Sequence, residues 1–422
     1  MKKILIYGKG KTGEAVKNFC DKNKIENDLV DDHTYNPNLL KNYTTIVVSP
    51  GIPFFHRIFK DAKKNNKEII GEIEFAYRFL DKKNKIIVIT GTDGKSTTTK
   101  LIAHILKSFY TVYIGGNYGI PFIQIVDKAN RQPGIIVLEL SSFQIYSLKT
   151  FKPDTAVFLN FSKDHLNWHK KLSHYFLSKE KLFKRLDKMG TAILNYDNDC
   201  IKHVKTSGNK MFFSQKNPQS DIFIKDKKIR INIHNRLVTI ENTNKKLIGT
   251  HNSTNIGVSS AIALLYKVDL KTIKKQISTF EPLPHRLEFV KQINGVSFYN
   301  DSKSTTVQSL ESAVKSFDKD IILILGGINK GGEFSAIKKL LSKKVKKAFI
   351  LGKSKNEIKN MIEGCCKIEL VTNIEEAVIK AYSSAETGDI VLLSPACASF
   401  DMFKNYEERG EAFKKALFKI DG

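Results

Sequence analysis

The chain has no apolar run approaching the ~18 residues that a membrane span requires, so no transmembrane helix is expected. Only four apolar residues, Ile4, Leu5, Ile6 and Tyr7, follow Met1-Lys2-Lys3 before Gly8 interrupts them. That is too short for the core of a signal peptide and reads as a first β-strand. Cysteine is scarce: the five are scattered and show no C-x-x-C or Cys/His ligand spacing. A zinc site and a disulfide framework are thereby excluded, and a soluble protein of the reducing cytoplasm is expected. Arginine is scarce too, 8 residues against 61 lysines spread along the whole chain. A net charge of +26 invites a nucleic-acid reading. Binders of that kind cluster arginine and interleave aromatics along a basic strip, and neither pattern is present. The abundance of Lys, Asn and Ile is what an AT-rich coding sequence produces, and the resulting field would speed the arrival of polyanionic small substrates. No internal repeat and no low-complexity tract occurs.

What is present is an ordinary globular composition, 41% hydrophobic and 27% charged, over 422 residues, enough for two or three domains. Apolar β-rich runs alternate with amphipathic helical stretches, the pattern of parallel βαβ construction. A first block has strands over residues 3–7, 25–30 and 45–49, a helix after Gly13 and another over 71–80, with 81–85 as linker. A second block has strands over 86–90, 135–140 and 155–159, short polar strands between 212 and 248, and a helix over 252–266. Pro282-Leu283-Pro284 ends it and marks a hinge. A third block has strands over 296–299, 321–325, 348–351, 368–371 and 390–394.

Gly8-Lys9-Gly10-Lys11-Thr12-Gly13 follows a strand, opens a helix, and precedes Asp31-Asp32 by about 20 residues, the spacing of a dinucleotide fingerprint. NAD, another diphosphate nucleotide, and a tight turn that binds nothing all satisfy this pattern. The run Thr90-Gly91-Thr92-Asp93-Gly94-Lys95-Ser96-Thr97 between a strand and a helix carries the GKS ending of a phosphate-cradling P-loop, shortened because Ile89 stands where the first glycine would fall. Lys95 would reach the β and γ phosphates and Ser96 would ligate Mg²⁺. The alternative is a capped turn with Lys95 in solvent. Glu139 ends a buried-type run and is either a hard oxygen ligand beside the P-loop or an exposed strand-end glutamate. Asp164-His165 emerges from the next strand at the edge where α/β ligands bind. In the third block three polar loops follow strands: residues 300–305 (NDSKST), 326–332 (GGINKGG) and 394–400 (SPACASF). Each alone is ordinary turn chemistry; together they mark a binding site at one sheet edge.

The motifs TGTDGKST, LELSSFQ at residues 138–144, Asn160 with Asp164-His165, His251-Asn252 with Asn255, Pro284-His285-Arg286, NDSKST and SPACASFDMFKNYEER at 394–409 together resemble the Mur ligases, ATP-dependent amide ligases of peptidoglycan synthesis. The last two resemble the member that adds D-glutamate. The resemblance runs through all three blocks in order. It implies an α/β fold of three domains: an N-terminal Rossmann-like domain (1–84) that binds a UDP substrate, a central P-loop ATPase-type parallel sheet (85–282), and a C-terminal Rossmann-like domain (283–422) that binds the amino acid. The implied reaction joins UDP-N-acetylmuramoyl-L-alanine to D-glutamate through an acyl phosphate, with ATP and Mg²⁺. The implied protein is a cytoplasmic monomer with no nucleic-acid or membrane partner. A folylpolyglutamate synthase, or a Mur ligase adding another residue, is the nearest rival.

By the same resemblance Gly91, Thr92, Asp93, Gly94, Lys95, Ser96, Thr97, Asn255, Arg286 and Asp301 would bind ATP. Ser96, Glu139, His165 and Lys179, the last as a carbamate, would hold the metal. Lys95, Glu139, His165 and Lys179 would be catalytic. Gly10, Lys11, Thr12, Asp32, His33, Ser49, Gly51, Asn117, Ser141 and Gln144 would bind the UDP substrate. Lys303, Thr305, Lys330, Ser399, Phe400 and Tyr406 would form the D-glutamate pocket. Nothing intrinsic marks Lys179 among the lysines. The chain departs from the family pattern at Asp93 (usually Asn), Asp32-His33, Asn167-Trp168 (usually Asp-Arg) and Tyr406 (usually Phe).

Overall fold

The structure, a computed structural model, describes residues 3–233 and 235–420. It is α/β, with three sheets dominated by parallel pairing. The chain divides into two compact units, residues 1–241 with 254–278, and residues 242–253 with 279–422. Among the described residues no helix is long and apolar enough to cross a membrane.

The first unit holds two sheets. One has four parallel strands in the order Asn27–Val30, Ile4–Tyr7, Thr45–Val48, Glu68–Gly71. All four residues of Ile4–Tyr7 are buried, because helices cover both faces of a parallel sheet and its inner strand becomes continuously apolar. The first helix, Lys11–Lys22, starts before the predicted position and takes Gly13 into its first turn. A Cβ on Gly13 would lie 1.9 Å from the Gly8 carbonyl oxygen, so this glycine is what lets the helix lie against the strand.

The other sheet has nine strands, and its parallel core runs Thr191–Asn195, Thr155–Phe158, Lys85–Thr90, Ile135–Glu139, Val112–Gly116. Beyond Thr191–Asn195 come Asn209–Ser214, Ile222–Lys225, Lys228–Ile233 and Arg236–Glu241, with Lys228–Ile233 antiparallel to the strand on either side of it. The strands after residue 212 alternate in burial as their polar alternation predicts.

The second unit has six strands in the order Glu288–Ile293, Val296–Asn300, Ile390–Leu393, Ile321–Gly326, Val345–Leu351, Lys367–Leu370. Only the first pair is antiparallel. It turns at Asn294-Gly295, both in the left-handed region, which is the two-residue hairpin signal. The strands Glu288–Ile293, Glu68–Gly71, Val112–Gly116 and Thr191–Asn195 were not expected from the sequence. Each is short, and none shows a long enough apolar run to stand apart from its surroundings.

Candidate active site

The loop at residues 90–97 leaves the strand Lys85–Thr90 and enters the helix Lys95–Leu106. Gly94 caps that helix at φ 79°, a conformation that favours glycine. The loop is held by one side chain to which sequence reasoning gave no role. Asn160 Oδ1 accepts from the Thr92 and Asp93 amides at 3.0 and 2.8 Å, and its Nδ2 donates to the Asp93 carbonyl at 3.1 Å. Lys95 is not free in solvent: its Nζ donates to the carbonyls of Gly91 (3.1 Å) and Thr92 (2.6 Å). Thr98 Oγ1 donates to Asn255 Oδ1 at 3.1 Å, which brings Asn255 beside the loop.

Glu139 is 2% exposed, which excludes the exposed strand-end alternative. Its Oε2 accepts from Ser96 Oγ at 2.5 Å and its Oε1 from Asn117 Nδ2 at 2.7 Å. The Asn117 amide also donates to the Glu139 carbonyl at 2.7 Å. Lys179 is 1% exposed, and its Nζ donates to the Gly91 carbonyl at 2.8 Å and to Thr90 Oγ1 at 3.3 Å. Burial, then the neighbouring Lys95 cation, drive its pKa well below the ordinary lysine value; Asp164, Glu139 and Asp93 oppose the shift without reversing it. Burial is the mark that the sequence could not display.

His165 sits in the left-handed region at φ 54°, its Nε2 3.3 Å from Asp164 Oδ2 and its ring 4.9 Å from that of Phe143. Four residues on, His169 Nε2 lies 2.8 Å from Ser142 Oγ and its Nδ1 lies 2.9 Å from His174 Nδ1. These bonds tie the segment after Glu139 to the helix Leu172–Phe183 that carries Lys179. Burial holds His169 neutral by lowering its pKa to about 3. Trp168 is buried with its Nε1 unpartnered, and the side chain of Asn167 lies outside the described residues. The structure thus gathers Lys95, Ser96, Asn117, Glu139 and Lys179 about one loop. Among the described residues no group of three or more His, Cys, Asp or Glu side chains converges as a metal cage.

Elsewhere in this unit Ser49 Oγ donates to the Gly8 carbonyl at 3.2 Å, and Lys11 Nζ to the Gly119 carbonyl at 3.2 Å. Gly10 is the N-cap of the helix that holds Lys11 and Thr12, and Gly51 is exposed in the turn after Ser49. Asp31 is tied locally, to Thr34, the His33 amide and Lys9. Asp32 Oδ1 accepts from Tyr7 Oη at 2.6 Å and faces His56 Nε2 at 3.0 Å. Ser141 and Gln144 form a capping box on the helix Ser142–Tyr146, a structural role written in the S-x-x-Q spacing.

In the second unit the three polar loops come together. Ser394 Oγ donates to Asp301 Oδ2 at 2.9 Å, the Ala396 amide to the Ser304 carbonyl at 2.9 Å, and Ile328 and Ala398 exchange backbone bonds at 2.9 and 3.0 Å. Asp301 is buried and also accepts from Ser304 Oγ (2.5 Å) and the Leu287 amide (3.1 Å), yet burial prevails and lifts its pKa to about 7. Lys303 Nζ stands 3.7 Å from the centroid of the Tyr406 ring, and Lys330 Nζ 5.9 Å from that of Phe400. Ser399 is buried, whereas Phe400 is 67% exposed. Arg286 and Thr305 are half-buried in the segments on either side of Asp301. The buried Arg409, which sequence reasoning passed over, bonds to the segments that carry Lys303 and Ser399.

Residues 89–263 match the family model of the Mur ligase middle domain, and residues 285–397 that of the Mur ligase glutamate ligase domain. The chain is 43% identical to a UDP-N-acetylmuramoylalanine--D-glutamate ligase of Hydrogenobaculum sp. and 42% identical to that of Aquifex aeolicus, with 98% of each chain covered in both cases. Among solved structures, the MurF ligase from Thermotoga maritima in complex with ADP superposes with a TM-score of 0.66 at 18% identity, over 99% of this chain and 95% of that one. A pseudomurein peptide ligase type C from Methanothermus fervidus gives 0.65 at 18% identity over the whole of both chains.

Proposed function

The chain belongs to the Mur ligases, and from that membership we propose the reaction for which its full-length relatives are named: ADP-forming ligation of D-glutamate to UDP-N-acetylmuramoyl-L-alanine, a step of peptidoglycan precursor synthesis. The observation that carries it is the cluster of Lys95, Ser96, Glu139 and Lys179 about one phosphate-cradling loop.

Joining a carboxylate to an amine in water is uphill, so the carboxylate must first become an electrophile. The terminal P–O bond of ATP breaks, the γ-phosphoryl group passes to the L-alanyl carboxylate, and ADP leaves. The amine of D-glutamate attacks the resulting acyl phosphate, and the tetrahedral intermediate expels phosphate as the nitrogen loses its proton. Lys95 offsets charge on the transferred group, and the fixed loop positions it; no covalent nucleophile on the protein is needed. Ser96 Oγ and the Glu139 carboxylate are the hard oxygen donors that Mg²⁺ accepts, so the residues present fit that ion, which when bound would neutralise phosphate charge. We assign His165 and Lys179 to the same site. An ammonium does not fit beside a cation, but a Lys179 carbamate does, and the burial that disfavours the ammonium supplies the neutral amine that CO₂ requires.

Asn117, Ser49 and the glycine turn at residues 8–13 are assigned to the UDP substrate, and Lys303, Lys330, Thr305, Ser399 and Tyr406 to D-glutamate. Residues 1–84, 85–282 and 283–422 are the corresponding functional divisions, in a cytoplasmic enzyme. ADP release measured with UDP-N-acetylmuramoyl-L-alanine tests the reading. D-glutamate should stimulate it strongly; equal release with L-glutamate or with no amino acid would refute the assignment.

A further inference from the structure

Arg409 is 3% exposed and lies in the first turn of the helix Tyr406–Ile420, where the helix dipole disfavours a cation. Among the described residues no carboxylate lies within ion-pairing distance of its guanidinium. Its Nε donates to Ser302 Oγ (3.0 Å), its Nη2 to the Ser302 carbonyl (2.8 Å) and its Nη1 to the Cys397 carbonyl (3.1 Å). Three of the five N–H groups of a guanidinium are thus satisfied, all by neutral acceptors. Burial lowers its pKa only to about 10, so the charge persists at neutral pH. Asp401 and Asp301 act favourably on it from a distance without outweighing burial, so a buried cation hydrogen-bonded only to neutral acceptors at a helix N-terminus remains costly, and a neutral side chain of the same volume would avoid the penalty.

The partners explain its presence. Ser302 immediately precedes Lys303, and Cys397 lies two residues before Ser399. Ser302 Oγ, the acceptor for Nε, in turn donates to the Tyr406 carbonyl at 2.8 Å, and the Tyr406 ring lies under Lys303 Nζ. One planar fork therefore fixes the two loops and the helix start that present Lys303, Ser399 and Tyr406. We infer that Arg409 is the positioning residue of the amino-acid pocket: its rigid fork sets the spacing of these three groups. This rests on the D-glutamate reading proposed above.

The test is steady-state kinetics of the full-length enzyme with Arg409→Lys, Arg409→Met and Ser302→Ala, each checked for a cooperative melt. Arg409→Lys keeps a charge but cannot reproduce the fork. Both Arg409 variants should raise the KM for D-glutamate on the order of tenfold or more, leaving the KM for ATP and for the UDP substrate within about twofold. Ser302→Ala, which removes the Nε acceptor and the tie to Tyr406, should raise the D-glutamate KM about threefold. An unchanged D-glutamate KM in a folded Arg409 variant, or a parallel rise in all three KM values, overturns the inference. If both Arg409 variants fail to fold, Ser302→Ala decides by the same criterion. The wild type separates this inference from the reading beneath it. If another amino acid alone drives ADP release, the D-glutamate assignment falls and Arg409 is judged on that substrate's KM; a wild type driven by none overturns both.

Discussion

Lys179 Nζ donates to the carbonyl of Gly91 at 2.8 Å, across 88 residues of sequence, and so lies against the loop that would hold the phosphates of ATP. An ammonium fixed there would repel a metal bound by Glu139, whereas a carbamate would supply anionic oxygens. Lys179→Ala is expected to abolish ligation while the protein still melts cooperatively, and a small carboxylate at high concentration should restore part of the ADP release. Lys179→Arg should resist that rescue, because a fixed cation fills the space. Near-normal turnover by Lys179→Ala would remove both the carbamate and the residue from the mechanism.

Lys95 and the Ser96–Glu139 bond make a second prediction. Lys95→Ala should lower kcat by roughly 10³-fold, the scale of losing a fixed charge-stabilising group, and leave far-UV circular dichroism unchanged. Glu139→Gln keeps the volume but removes the anion, so it should raise the Mg²⁺ concentration needed for half-maximal ADP release. Unaltered Mg²⁺ dependence in that variant would take Glu139 out of the metal site.

Lys303 and Lys330 are cations on two loops at one sheet edge, the strand Ile390–Leu393 standing between the strands that lead to them and its following loop bonding to both. Charge-assisted bonds of this kind are worth ~1.5 to 3 kcal/mol each, so Lys330→Ala should raise the D-glutamate KM about tenfold or more with the ATP KM nearly unchanged. Unchanged D-glutamate kinetics would exclude Lys330.

The buried Asp301 predicts a pH dependence of stability. Its pKa rises from 3.8 to about 7 on folding, so between those values the folded protein binds a proton that the unfolded chain has lost. Stability from this group therefore falls as pH rises through that window and is level above it. Glu72, buried against the Ile123 amide and also lifted to about 7, adds in the same direction. Asp301→Asn should shrink the drop in melting temperature between about pH 5 and about pH 8. A slope equal to that of the wild type would show that Asp301 titrates normally.

The α/β class, the order of the blocks and the placing of Lys95 and Glu139 were legible because strand–loop–helix punctuation reports directly where a parallel sheet delivers its residues; Asn117, after a strand the sequence did not announce, was indicated by the family resemblance alone. The convergence of the loops at 300–305, 326–332 and 394–400 followed from the same logic. What stayed hidden depends on contacts between distant segments. Asn160 clamps the P-loop, His169 bridges Ser142 to His174, and Arg409 joins Ser302 to Cys397; each is an unremarkable polar residue until the fold supplies its partners. Ser141 and Gln144 carry a structural role that their spacing already spelled, a helix cap. The Asn294-Gly295 hairpin is written in a dipeptide whose two residues both take the left-handed conformation.

The bond from Thr98 to Asn255 spans 157 residues, and Gly94 leaves its space to the same asparagine. During synthesis the strand Lys85–Thr90, the loop after it and the helix Lys95–Leu106 emerge long before the helix that carries Asn255. Non-local closure of this kind is slow, since loop entropy is lost before the contact rewards it. A nascent chain that has not yet released Asn255 from the ribosome therefore carries this loop without the partner that Thr98 and Gly94 meet in the folded protein, and the contact waits until the helix Thr250–Leu265 has docked.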